Sequence, residues 1–120
     1  MFNDHLIFSN NLYDAARHLQ QLQEAGLKKA KKSGASHETK HKELLRQIAR
    51  EKAHKEKAVA HRRAAGKMRG SNTAGAHELA AFTHETQAQD IGQNIEDLTQ
   101  GDTPKREFWR SYVNRSNYNP

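Results

Sequence analysis

Eight histidines and no cysteine stand in this chain of 120 residues, so any metal site would have to be built from imidazoles and carboxylates. His37 and His41 are four apart, a spacing that puts two imidazoles on one helical face. A zinc site also needs a third ligand and an ordered second shell, and neither is identifiable beside them. His77-Glu78 is followed by Leu79-Ala80-Ala81, so the His-Glu-x-x-His pattern of zinc proteases fails at its fifth position. The His-Glu pairs starting at His77 and His84 are seven apart, a single recurrence and not a repeat. General acid–base chemistry requires a pocket that shifts pKa values. Asp90, Glu96 and Asp97 instead lie off the apolar stripe of Ile91, Ile95 and Leu98, where carboxylates are usually solvated. The expectation is a non-enzymatic protein with no metal or other cofactor.

The residues with a clearer use are cations. Between Lys28 and Arg69 lie fifteen Lys and Arg against four Glu, whereas Gly70 to Thr103 holds six Asp and Glu and no Lys or Arg. The whole chain carries +6 at pH 7, with a pI near 9.7. Such a balance attracts nucleic acid, anionic lipid or acidic protein without choosing among them. Arg46, Arg50, Lys52, Lys55, Lys57, Arg62, Arg63, Lys67 and Arg69 surround one predicted helix and are the candidate polyanion contacts. Neutralising several phosphates would give salt-dependent affinity without base reading, since no recognition-helix signature or stacking platform accompanies them. The bland alternative is that these side chains solvate the helix or pair with acidic neighbours, including the block from Glu78 to Asp102.

The elements that position these residues are helical. Two Pro, few β-branched runs and abundant Ala, Gln, Glu, Lys and Arg favour an all-α fold. A first amphipathic helix is expected over 12–27, capped from Ser9, Asn10 or Asn11, with Leu12, Ala15, Ala16, Leu19 and Leu22 on one face. It fades after Gly26 into a basic linker and stops near Ser33 to Ala35, closing a segment 1–35. The basic helix occupies 36–69, and its apolar stripe reads as Leu45, Ala49, Ala53, Ala60 and Ala64, interrupted by Glu56. Residues 70–75 read as a hinge that permits either a hairpin or a bent rod. An acidic amphipathic helix follows in 76–101, with Leu79, Ala80 and Phe82 at its start and Gly101 just past its end. Thr103-Pro104 opens a short aromatic helix within 102–120.

A single helical unit over 1–120 built this way has a thin core. Hydrophobic residues make up 34% of the chain, and sixteen of those 41 are Ala. Ala offers little surface against an ordering cost of about 1–2 kcal/mol per residue. The helices are therefore expected to be completed by packing in an assembly. Leu12, Leu19, Leu22, Phe108, Trp109, Tyr112 and Val113 are the candidate docking residues, although the aromatic helix could equally cap the chain's own core. No run approaches the roughly 20 apolar residues of a spanning helix, and Met1 to Phe8 does not read as a secretion signal.

Arg63-Ala64-Ala65-Gly66, Met68, Gly70-Ser71, Leu79, Gln87, Ile91 and Asn94 together resemble a segment of the small internal core, or ejection, proteins of short-tailed bacteriophages. The likeness spans about residues 60–98. It implies a virion protein held in the capsid interior or portal-tail region. Such proteins leave with the genome and contribute to a conduit across the host cell envelope. The expected partners are other copies of the chain and neighbouring virion proteins, with non-specific DNA contact. Membrane contact stays open, because the chain lacks the apolar Gly- and Ala-rich start usual in that family. The rival readings are a free-standing cytoplasmic nucleic-acid-binding protein and an adaptor acting through the aromatic end.

Overall fold

A computed structural model describes the backbone of residues 4–116 and the side chains of residues 14–116. The fold is all-α, with helices α1 (Asp4–Lys31), α2 (His37–Lys67), α3 (Asn72–Leu98) and α4 (Thr103–Ser116), and no strand among the described residues. The chain divides into two compact units, Met1–Lys40 and His41–Pro120.

In the first unit α1 begins well before the expected cap at Ser9 to Asn11. A capping residue is worth about 1 kcal/mol and does not stop a helix whose backbone ladder can simply continue. The helix also runs through the basic stretch to Lys31. Lys28, Lys29 and Lys31 occupy its last turn, where cations complement the negative end of the helix dipole. Gly34 then adopts φ +123°, the left-handed region in which a Cβ is strained, and the chain turns. Ser36 caps α2 by accepting a hydrogen bond from the Thr39 amide at 3.1 Å. Leu19 and Leu22 on α1 are exposed, while the Leu12 side chain lies outside the described residues.

The second unit is a helical hairpin with a third helix against its base. The break between α2 and α3 is confined to residues 68–71, shorter than the 70–75 hinge read from the sequence, and Gly75 falls in the first turn of α3. Ser71 serves both helices. Its hydroxyl donates to the Met68 carbonyl at 2.7 Å and accepts from the Ala74 amide at 3.3 Å. Contacts between residues far apart in sequence, such as His54 with His84 and Arg62 with Glu85, show that α3 folds back along α2. The hairpin is thus the form adopted.

The buried seam differs from the expected stripe. Ala53 and Ala60 are exposed and Ala49 and Ala64 half-buried, whereas Leu44, Glu51, Ala58 and Ala65 are buried at steps of seven. On α3 the buried residues Ala74, Ala81, Ala88 and Ile95 also recur at steps of seven, and Leu79 and Phe82 point outward at 67% and 62% exposure. Two helices that pack over several turns hold a 3.5-residue period, so a seven-residue step stays on the seam where a 3.6-residue projection drifts off it. Among the described residues, six of the twelve buried apolar residues are Ala; the larger ones are Leu44, Leu45, Ile48, Ile95, Leu98 and Val113. In the second unit the apolar bulk therefore sits at the base of the hairpin, and the half toward the tip is sealed by methyl groups.

At the base, α3 ends with Thr99 donating to the Ile95 carbonyl at 2.9 Å. Gln100 (φ +52°) and Gly101 (φ +76°) then make a left-handed turn, and Asp102 caps α4 through the Lys105 amide at 3.0 Å. Replacing the fully buried Ile95 with Ala is expected to lower unfolding free energy by about 3 kcal/mol. Leu19→Ala, on an exposed face, should change it by less than about 0.5 kcal/mol in the same urea titrations.

Candidate functional site

Four half-buried histidines form a ladder across the hairpin. His54 and His61 are one seven-residue step apart on α2, and His77 and His84 are one step apart on α3. Because the helices run antiparallel in a common register, His54 meets His84 with 2.8 Å between their Nδ1 atoms, and His61 meets His77 at 2.9 Å. The His61 and His84 rings stack at 5.7 Å and 10°, which joins the two pairs into a continuous row. In the register set by these pairs, Ala58 and Ala81 fill the level between them, and Ala65 and Ala74 the level beyond. Small side chains at these levels let the backbones approach closely enough for two short imidazoles to touch.

An Nδ1 to Nδ1 hydrogen bond requires one ring to donate and the other to accept. Burial, the neighbouring His84 and the cations Lys57 and Arg50 all oppose a charge on His54, and its pKa lies below the ordinary 6.5. The sequence reading passed over this ladder, although two histidine pairs at equal spacing on either side of a Gly-Ser turn were its visible sign. Of the two histidines at the start of α2, His37 is exposed, and the ring of His41 meets Trp109 edge-on at 4.4 Å. Among the described residues no three His, Cys, Asp or Glu side chains converge on a position that would hold a metal ion.

The nine candidate polyanion contacts fall into two groups. Arg50 donates to the buried Glu43 at 3.2 Å and Arg46 lies 3.6 Å from the same carboxylate. Lys52 lies 3.9 Å from Glu56 and Lys55 3.8 Å from Glu51. Arg62 grips Glu85 with two donors, the second at 2.8 Å. That hydrogen bond holds the Glu85 carboxyl below its usual range and raises the guanidinium. Lys57, Arg63, Lys67 and Arg69 remain exposed, with no ion pair to a carboxylate among the described residues. Arg63 and Lys67 lie in the last turns of α2, and Arg69 in the hairpin turn itself.

Glu51 occupies a seam position as a buried carboxylate. Arg110 of α4 reaches it with two hydrogen bonds of 3.0 and 2.9 Å. Gly92 supplies the room, since a Cβ at that position would lie 3.2 Å from Glu51 Oε2. The fork and the Trp109 contact with His41 hold α4 against the first half of α2, with Val113 fully buried. Of the aromatic docking candidates, Trp109 and Val113 are used within the chain, while Phe108 and Tyr112 stay exposed. An open cleft of about 490 Å³ is lined by Glu51, Lys55, Glu85, Ala88, Gln89 and Gly92, and both its carboxylates are engaged by arginines.

Comparison with known protein families, with curated proteins and with solved structures finds no match to this chain.

The seam assignment separates two alanines of equal size. Ala81→Leu, at the fully buried level between the histidine pairs, is expected to cost about 1–3 kcal/mol through overpacking. Ala60→Leu, on the exposed side of α2, should be close to neutral when thermal or urea unfolding is compared.

Proposed function

We propose that this chain is a non-enzymatic helical subunit of a larger assembly, completed by other copies of itself and by neighbouring proteins. The observation that carries the reading is an inversion of apolar surface. Among the described residues eight large hydrophobic side chains are exposed, Leu19, Leu22, Val59, Met68, Leu79, Phe82, Phe108 and Tyr112, against six buried apolar residues larger than Ala. These side chains lie on α1, α2, α3 and α4 and in the turn between α2 and α3, and packing against a partner would remove them from water. The resemblance over residues 60–98 directs the proposal toward an internal or ejection protein of a phage virion, sited in the capsid interior or portal-tail region. No helix among the described residues is long and apolar enough to cross a membrane.

A second reading rests on the four unpaired cations Lys57, Arg63, Lys67 and Arg69. They would contact the phosphate backbone of nucleic acid without reading bases, either within an assembly close to packed DNA or in a free-standing binding protein.

Light scattering across a concentration series checks the first reading. Self-association is expected to rise with concentration and to be lost in a Leu79→Ser/Phe82→Ser variant that keeps its helical circular dichroism. A strictly monomeric wild-type chain at every concentration overturns it. For the second reading, binding to duplex DNA should weaken with salt at a slope of about −3 to −4 in log K against log salt. Replacing Arg63 and Lys67 with Gln should flatten that slope by about 2, equally for unrelated sequences.

A further inference from the structure

The histidine ladder does more than fill space, because its protons can be counted. In a neutral pair one ring donates from Nδ1 and the other accepts at Nδ1. A first added proton goes to the outward Nε2 of the donor ring and leaves that hydrogen bond in place. A second would have to enter the accepting Nδ1, so that two N–H groups on two cations face each other at 2.8–2.9 Å. That arrangement has no hydrogen bond and places like charges in contact. The closed hairpin therefore accommodates one proton per pair, whereas the separated helices accommodate two.

Little nearby offsets such a charge. On α2 the rings are flanked by Arg50, Lys57 and Arg62, and on α3 by Glu78 and Glu85, of which Glu85 is already held by Arg62. Across the adjoining level toward the base, Glu51 is taken by Arg110 of α4 and approached by Lys55. The levels between and beyond the histidines are Ala58 with Ala81 and Ala65 with Ala74, which supply little burial energy to resist opening. The base has Leu44, Ile48, Ile95, Leu98, Val113 and the Glu51–Arg110 fork.

We propose that the tip half of the α2–α3 hairpin is a proton-operated latch, closed at neutral pH by the two histidine pairs and released in mildly acidic solution while the base stays packed. The sign follows from the proton count: the open form binds two more protons, so acid favours it and base restores the closed form. Below the ordinary histidine range near 6.5, the ratio of open to closed hairpins is expected to climb up to about a hundredfold per pH unit, tenfold for each of the two extra protons. This inference does not depend on the assembly reading.

The absence of native cysteine allows two spin labels to be placed without background. Arg63→Cys on α2 and Ala76→Cys on α3 are both exposed and sit on opposite arms near the tip. Electron paramagnetic resonance distances on the full chain should give one short, narrow distribution at pH 8. At pH 5 a longer and broader one is expected, reverting when the pH is restored. In a His54→Gln/His77→Gln background each remaining imidazole faces an amide that can accept its proton, and the arms are expected to stay together at pH 5. Wild-type distances unchanged between pH 8 and pH 5 overturn the proposal, as does equal opening in the glutamine background. Should that background lose helicity at pH 8, the wild-type distance series decides by itself.

Discussion

The close antiparallel approach of α2 and α3 is the constraint on which the rest of the second unit depends. It is set by alanine at Ala58, Ala65, Ala74, Ala81 and Ala88, each one seven-residue step from a seam neighbour on its own helix. Methyl groups at those levels let two backbones come near with almost no side chain between them, and only then do the short imidazoles of His54 and His84, or of His61 and His77, reach one another. The same closeness limits the apolar surface that can be buried, since a seam of methyl groups removes little area from water. Geometry and weakness therefore share one cause: the hairpin is narrow because its seam residues are small, and its tip is lightly held for the same reason.

Polar groups make up part of the difference. Glu51 stands at a seam position where a leucine would be ordinary, and it is tolerated because Arg110 satisfies it with a two-pronged hydrogen bond and Gly92 leaves space for it. A buried carboxylate of this kind adds little net stability compared with an apolar residue, yet it costs several kcal/mol if its partner is lost. Its contribution is specificity: α4 has one place on the base of the hairpin where its guanidinium is matched. Glu43 behaves similarly within α2, with Arg46, Gln47 and Arg50 turned toward it. Five of the nine candidate polyanion contacts are thereby paired with carboxylates of the fold, and three of the other four, Arg63, Lys67 and Arg69, lie at or near the hairpin tip.

The helices were legible from the sequence because their ends are marked by local chemistry. The breaks at Ser33 to Ala35 and at Gly70-Ser71, the stop at Gly101 and the start at Thr103-Pro104 lie where small, left-handed and proline residues mark them, and α2 and α4 fall close to their expected limits, whereas α3 begins at Asn72, four residues before its expected start. The start of α1 was misplaced because Ser9 to Asn11 resemble a cap while the helix continues through them. The seam was not legible, for a different reason. Its positions on α2 are occupied by Glu51, His54 and His61, which no hydrophobic pattern registers, while Ala49, Ala53, Ala60 and Ala64 imitate a stripe that faces outward or to the side. Leu79 and Phe82 misled in the opposite direction, being large and apolar yet turned to solvent. Which cations stay unpaired could not be read from charge runs at all, because it depends on which carboxylates the fold brings within reach.

Gly92 links α3 to α4 at a point well removed from the turn that joins them. The missing Cβ gives the Glu51 carboxylate its berth beneath α3, and that carboxylate is the hook on which Arg110 hangs the C-terminal helix. A displacement of α3 by the width of one methyl group would therefore reach α4 through the Glu51 side chain as well as through the turn between the two helices. The C-terminal helix in effect senses whether its neighbour is correctly seated, and one of its anchors loosens when that neighbour shifts, leaving Trp109 and Val113 to hold it.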